Sequence, residues 1–209
     1  MKITLVIIII ILTLWFVWSF FADKGLESPT YSVIKERAGY ELRKYDPYIV
    51  AETTVAGNLS TAAGRAFNEL GGYIFGNNVD NQSISMTTPV TTEQKGATIA
   101  MTSPVTTERT DTKMTMSFMM PSQFTIDNLP VPKSDNVSFR KVESSIFAVT
   151  TFSGWVSEKK RLRRTEQLQK LLQGDGVSTV KEPQLLQYDR PFKFPLLRKN
   201  EIKIEVRPQ

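Results

Sequence analysis

The chemistry open to this chain is bounded first by two residue types it lacks. Its 209 residues include no histidine and no cysteine. A triad built on either, a zinc site built on either and a disulfide framework are all excluded. Carboxylates remain. Glu93 and Glu108 hold equivalent places in a near repeat, SMTTPVTTE at 85–93 and AMTSPVTTE at 100–108, and paired carboxylates are the raw material of general acid–base work. Both flank an expected turn, however, where a solvated charge is the ordinary outcome. Serine and threonine are abundant, but no G-x-S-x-G elbow accompanies them. Binding without catalysis is the expectation. The one concentrated charge run is Lys159, Lys160, Arg161, Arg163 and Arg164, within a net charge of +5. It reads as a solvated helix face, or as an attractor for lipid head groups or a ligand's carboxylates. No aromatic residues interleave it and no nucleic-acid motif accompanies it.

Those residues must be positioned by one domain. Beyond the first two dozen residues roughly 180 remain, enough for one well-buried core and too few for two. Tyr40–Tyr45 alternates apolar and charged positions, as a half-buried strand does. Asp46-Pro47 is a turn signal, and Tyr48–Ala56 is a β-branched strand closed by Gly57-Asn58. Ser60 is expected to cap a helix reaching about Phe75, with Ala63, Ala66, Phe67, Leu70 and Ile74 on one face and Gly76 as its stop. Gly71 and Gly72 each weaken that helix by about 1 kcal/mol relative to Ala, and would let something flat pack closely against it.

The two repeat copies read as the strands of a hairpin turned near Gln94–Gly96, with Pro89 and Pro104 forcing an edge position or a bulge. Further strands are expected at 114–119, 137–142, 145–152, 184–188 and 201–206. A second helix should run from Ser157 to about Gln173, with Leu162, Thr165, Leu168, Leu171 and Leu172 inward and its basic run outward. Two amphipathic helices of this size must pack on sheet. The expected fold is α+β: a pseudo-duplicated, antiparallel, distorted β-barrel flanked by two α-helices.

Ahead of the domain, Ile3–Ala22 carries no charge, and about twenty helical residues match a bilayer's hydrocarbon thickness of about 30 Å. Trp15, Phe16, Trp18, Phe20 and Phe21 crowd one end, like an interfacial belt. A cleaved signal peptide would want small residues where Phe20 stands. The expectation is a transmembrane anchor at 1–22, a linker at 23–30 and the domain at 31–209. Lys2 before the span orients a single-pass protein with its domain on the periplasmic or luminal side.

Several segments in order now carry a resemblance. They are Tyr40–Tyr45 with Tyr48–Glu52; Phe67, Leu70, Tyr73-Ile74 and Gly76-Asn77; and the pair Met86–Val90 and Met101–Val105. Phe118–Pro121, Leu129-Pro130, Ala148-Val149, Phe152–Gly154, Tyr188–Pro191 and Arg198–Glu201 complete the set. Together, from about Tyr31 to Val206, the chain resembles the SOUL haem-binding family, whose two-helix distorted barrel is shared by bacterial effector-binding domains.

The resemblance implies non-covalent binding of haem or a related tetrapyrrole in an apolar surface groove near the first domain helix. It implies Phe67, Leu70 and Ile74 as groove wall, and Arg65 and Lys193 as partners of the propionates. Without histidine, an iron ligand would have to be a tyrosine or methionine such as Tyr73, Met86 or Met101. Binding without an axial ligand is the simpler expectation, and metal-free porphyrin should then bind nearly as well. The alternative is an effector-binding or interaction module for another amphipathic small molecule.

Overall fold

The computed structural model describes residues 2–21, 25–95, 113–190 and 192–207. Its strands are β1 (Tyr31–Arg37), β2 (Tyr40–Tyr45), β3 (Tyr48–Ala56), β4 (Val90–Lys95), β5 (Lys113–Met119), β6 (Ser138–Val142), β7 (Ser145–Ser153), β8 (Gln184–Gln187) and β9 (Lys199–Glu205). Its helices are α1 (Lys2–Phe21), α2 (Leu59–Ile74) and α3 (Glu158–Gly174). The described strands form one sheet in the order β1-β2-β7-β9-β8-β4-β5-β3-β6, antiparallel at every pairing.

The order exposes an internal duplication. The unit β3-α2-β4-β5 is matched by β7-α3-β8-β9, and β4 and β8 pair where the two units meet. The strand preceding each unit crosses to the other: β2 pairs with β7, and β6 with β3. The sheet curls into a half-barrel with α2 and α3 on one face. Period-two alternation divides the strands accordingly. Ala51, Met114, Met116 and Phe118 join Ala62, Ala66, Leu70 and Ile74 beneath α2. Ala148, Leu185, Ile202 and Ile204 join Leu168 and Leu172 beneath α3.

Local sequence explains the helix limits. α2 begins at Leu59, capped by Asn58 instead of Ser60: the Asn58 side-chain oxygen accepts from the backbone N–H groups of Ser60 and Thr61. Ser157 caps α3 by accepting from the Lys160 N–H. Gly76, with φ of +106°, turns the chain away after α2, a conformation glycine adopts without strain.

Three expectations need correction. β4 is not an edge strand, since β5 and β8 occupy its two sides. Pro89 stands just before it, where its missing N–H costs no ladder bond. The proposed partner of the repeat hairpin, 100–108, lies outside the described residues. On α3 the inward face is Thr165, Leu168 and Leu172, while Leu162 and Leu171 are exposed. Arg161 turns inward with only 12% of its side chain exposed, against the expectation of a wholly outward basic run.

The largest correction concerns the N-terminus. Among the described residues no helix is long and apolar enough to cross a membrane. The expected transmembrane anchor is overturned, and with it the single-pass protein with its domain on a periplasmic or luminal side. The end of α1 is occupied by the domain itself. Trp15 Nε1 donates to the Phe192 carbonyl at 2.8 Å, and the Phe194 N–H donates to the Ser19 hydroxyl at 3.0 Å. The rings of Trp15 and Phe16 meet Phe194 edge-on at 4.9 and 5.3 Å. Ahead of this contact, Ile3–Leu14 reaches about 18 Å as a helix, short of about 30 Å of hydrocarbon.

Candidate functional site

The residues expected to form a binding groove are not assembled as one. Leu70 and Ile74 are 0% and 2% exposed and belong to the core beneath α2. Arg65 and Phe67, two residues apart, point about 200° apart around the helix. Arg65 donates from its guanidinium to the Ala56 carbonyl at 2.6 Å, closing the end of β3. Lys193 lies in the loop after β8 and is ion-paired with Asp189, in the segment that receives α1. Phe67 alone of the five is an apolar side chain left half-buried, its ring 5.4 Å from that of Phe118.

Phe67 has two companions: Gly71, which the sequence marked as a place for close packing, and Phe75, which it did not single out. Gly71, one turn on, is flanked by two rings: a Cβ there would stand 3.8 Å from both Phe67 and Phe75. Phe75 is exposed, and a Cβ at Gly64 on the same side would meet nothing within 4 Å. The i, i+4, i+8 spacing of Phe67, Gly71 and Phe75 was the available signal.

The register carries this flank toward α3. Val90 pairs with Phe118 on one side and Gln187 on the other, so all three share the helix-bearing face. Thr92 and Gln94 follow on that face of β4. Gln94 accepts from Arg161 at 2.5 Å, and Glu158 accepts from the same guanidinium at 2.5 Å. Around this contact buried polar atoms stand without hydrogen-bond partners among the described residues: Arg161 Nε, Glu158 Oε2, and the hydroxyls of Thr92 and Thr165. Orphaned buried donors and acceptors are uncommon, because each costs its full desolvation. Here they collect between β4 and α3.

The candidate iron ligands are poorly placed for that task. Tyr73 is buried and donates to the Pro130 carbonyl at 3.0 Å; burial pushes its phenol up to about 12, which opposes the phenolate. Met86 packs against the core under α2. Met101 lies outside the described residues. Among the described residues no group of three or more His, Cys, Asp or Glu side chains could hold a metal ion.

A half-barrel with two helices on one face thus carries an aromatic flank on α2 and, beyond β4, the Arg161–Glu158 pair on α3. The chain belongs to the SOUL heme-binding protein family, whose model matches residues 26–205. It is 27% identical over 186 residues to mouse heme-binding protein 2, covering 86% of each chain. Among solved structures, the EcmrR C-terminal domain superposes with a TM-score of 0.61 at 11% identity, over 86% of this chain and 99% of that one. A Listeria innocua protein named a hydrolase superposes with a TM-score of 0.56 at 9% identity, over 83% and 94%. These two likenesses concern the fold alone.

Proposed function

We propose that this chain binds haem or a related tetrapyrrole non-covalently over β4, between α2 and α3. Family membership supports a tetrapyrrole in general. The observation that carries the location is the α2 flank of Phe67, Gly71 and Phe75, continued along β4 to the unpartnered polar atoms of Arg161, Thr92 and Thr165. A flat apolar macrocycle stacks on aromatic rings, and its propionates seek charge-assisted hydrogen bonds. Phe67 and Phe75 offer rings to the macrocycle, and Arg161, which also pairs with Glu158, offers a donor to a propionate. Arg161 has the stronger claim as propionate partner, because its Nε is an unused buried donor. Arg65, which points away from Phe67, and Lys193, in the segment that receives α1, are engaged by Ala56 and Asp189 and take no part in this reading.

No axial ligand comes from this chain in the reading, since it has no histidine and Tyr73 is committed to Pro130. Recognition then rests on the macrocycle and its carboxylates, not on iron, and no reaction is assigned to the chain. The test is a spectroscopic titration with haemin and, in parallel, metal-free protoporphyrin. Saturable one-to-one binding of both is expected, weakened about tenfold or more by Phe67→Asp or Arg161→Gln, where tenfold corresponds to about 1.4 kcal/mol. Saturation by haemin alone would mean that an iron ligand exists and would end the ligand-free part of the reading. Saturation by neither would sink it entirely and favour a different amphipathic molecule.

A further inference from the structure

The opposite face of the sheet holds a second feature. Residues of β3 to β9 that point away from the helices line a cavity of about 460 Å³. Into it projects Lys203, only 2% exposed. Its ammonium donates to the Tyr48 hydroxyl at 3.0 Å. Aromatic faces surround it, with centroids at 4.5 Å (Phe147), 5.1 Å (Tyr45) and 5.6 Å (Tyr48). No ion pair among the described residues includes it. An ammonium has three N–H donors, and ring faces attract it without replacing an oxygen acceptor at the remaining two.

Three of the five carboxylates that line the cavity are ion-paired elsewhere. Glu52 pairs with Arg140, Glu143 with Lys141 and Glu205 with Lys181. Glu93 lies in line with Lys203 across the sheet, through Gln184 between them. The Gln184 amide donates to Glu93 at 2.9 Å, and three strands in register set the two backbones about 10 Å apart. Glu182 is exposed at the rim. Lys203 is therefore a buried cation that keeps no carboxylate of its own, and a buried charge is stable only when paired and hydrogen-bonded. Beyond it, Thr91, Thr115 and Ser117 present hydroxyls to the same space.

We propose that this cavity is a second ligand site, separate from the helix-bearing face, for a small hydroxylated organic carboxylate. Its carboxylate binds the Lys203 ammonium inside the ring of Tyr45, Tyr48 and Phe147. Its hydroxyl groups meet those of Thr91, Thr115 and Ser117. The site stands independently of tetrapyrrole binding.

The experiment is isothermal titration of the full chain with gluconate, with sorbitol as the matched six-carbon polyol lacking the carboxylate, and with hexanoate as the carboxylate lacking hydroxyls. Gluconate should bind saturably and hexanoate at least tenfold more weakly, while sorbitol should give no saturable heat. Lys203→Met should lose gluconate binding at least tenfold with the haemin titration unchanged. Tyr48→Phe, which keeps the ring and removes the ammonium's acceptor, should weaken it severalfold and guards against a folding defect in the first variant. Equal gluconate affinity in wild type and Lys203→Met, equal affinity for sorbitol, or no saturable gluconate binding would each overturn the proposal.

Discussion

Arg43 and Glu201 meet inside the half-barrel, Nη1 to Oε1 at 3.0 Å, with 4% and 0% of their side chains exposed. β7 separates their two strands, so the pair bridges over a strand on the face away from the helices. Glu201 also accepts from the Tyr188 hydroxyl at 2.6 Å and pairs with Lys199 at 3.2 Å. Breaking such a buried pair from one side leaves a stranded charge, at a cost of about 3–5 kcal/mol. Arg43→Met should lower unfolding stability by about that amount in urea denaturation. The double variant Arg43→Met, Glu201→Leu should recover most of it, because no buried charge is then left alone.

The same carboxylate gives a pH dependence. Burial pushes Glu201 up, but the Tyr188 hydrogen bond and the charges of Lys199 and Arg43 outweigh it and hold the group below its ordinary value of 4.5. A depressed carboxylate contributes stability that is fully present above its unfolded pKa and is lost as pH falls through its folded one. Thermal midpoints should thus decline below about pH 4.5 in wild type, and less steeply in Glu201→Gln. Tyr188→Phe removes the largest single lowering influence and should move the decline to higher pH.

The cap of α2 rests on one side chain. Asn58 accepts two backbone N–H bonds, while the Thr61 hydroxyl accepts from the Asn58 N–H. Asn58→Ala should cost about 1 kcal/mol, read as a lower midpoint in thermal unfolding followed by circular dichroism. Asn58→Asp should stay close to wild type.

Docking of α1 depends on Phe194, the ring that both Trp15 and Phe16 touch. Edge-on aromatic pairs contribute about 0.5–1.5 kcal/mol each beyond the area they bury. Phe194→Ala should free the helix end. Hydrogen exchange should then rise at the amides of 192–197 and of Trp15–Ser19, with the β7–β9 amides unchanged.

Much of the domain was legible because its strands are amphipathic. β2, β3 and β5 to β9 announce themselves by alternation or β-branching, and both domain helices by their apolar stripes. β1 was not legible: every residue from Tyr31 to Arg37 is exposed, so no buried face imprints a period on the sequence. Arg161 was hidden in a charge run, and only its i, i+4, i+7, i+11 spacing with Thr165, Leu168 and Leu172 marks it as inward. Lys203 sits between Ile202 and Ile204, whose side chains face α3. Alternation tells that it points the other way, yet nothing local tells that the other way is a cavity and not water. The length of the Ile3–Ala22 run suggested a membrane. The contacts of Trp15 and Ser19 with a loop some 175 residues later are not written in any local pattern.

The crossing of β2 and β6 between the two units constrains how this domain comes into being. Cut between β5 and β6, each half would retain its helix but lose the neighbour of its outer strand, leaving bare ladder groups on a hydrophobic sheet, the condition that drives chains to pair edge to edge. Two such fragments can cap each other's bare edges, so they would assemble as a pair of interlocked arms whose yield rises with concentration. Joining them in one chain replaces that concentration by the effective concentration of a tether. The domain is in this sense a covalently closed dimer, and it should unfold in one cooperative step with no half-folded species.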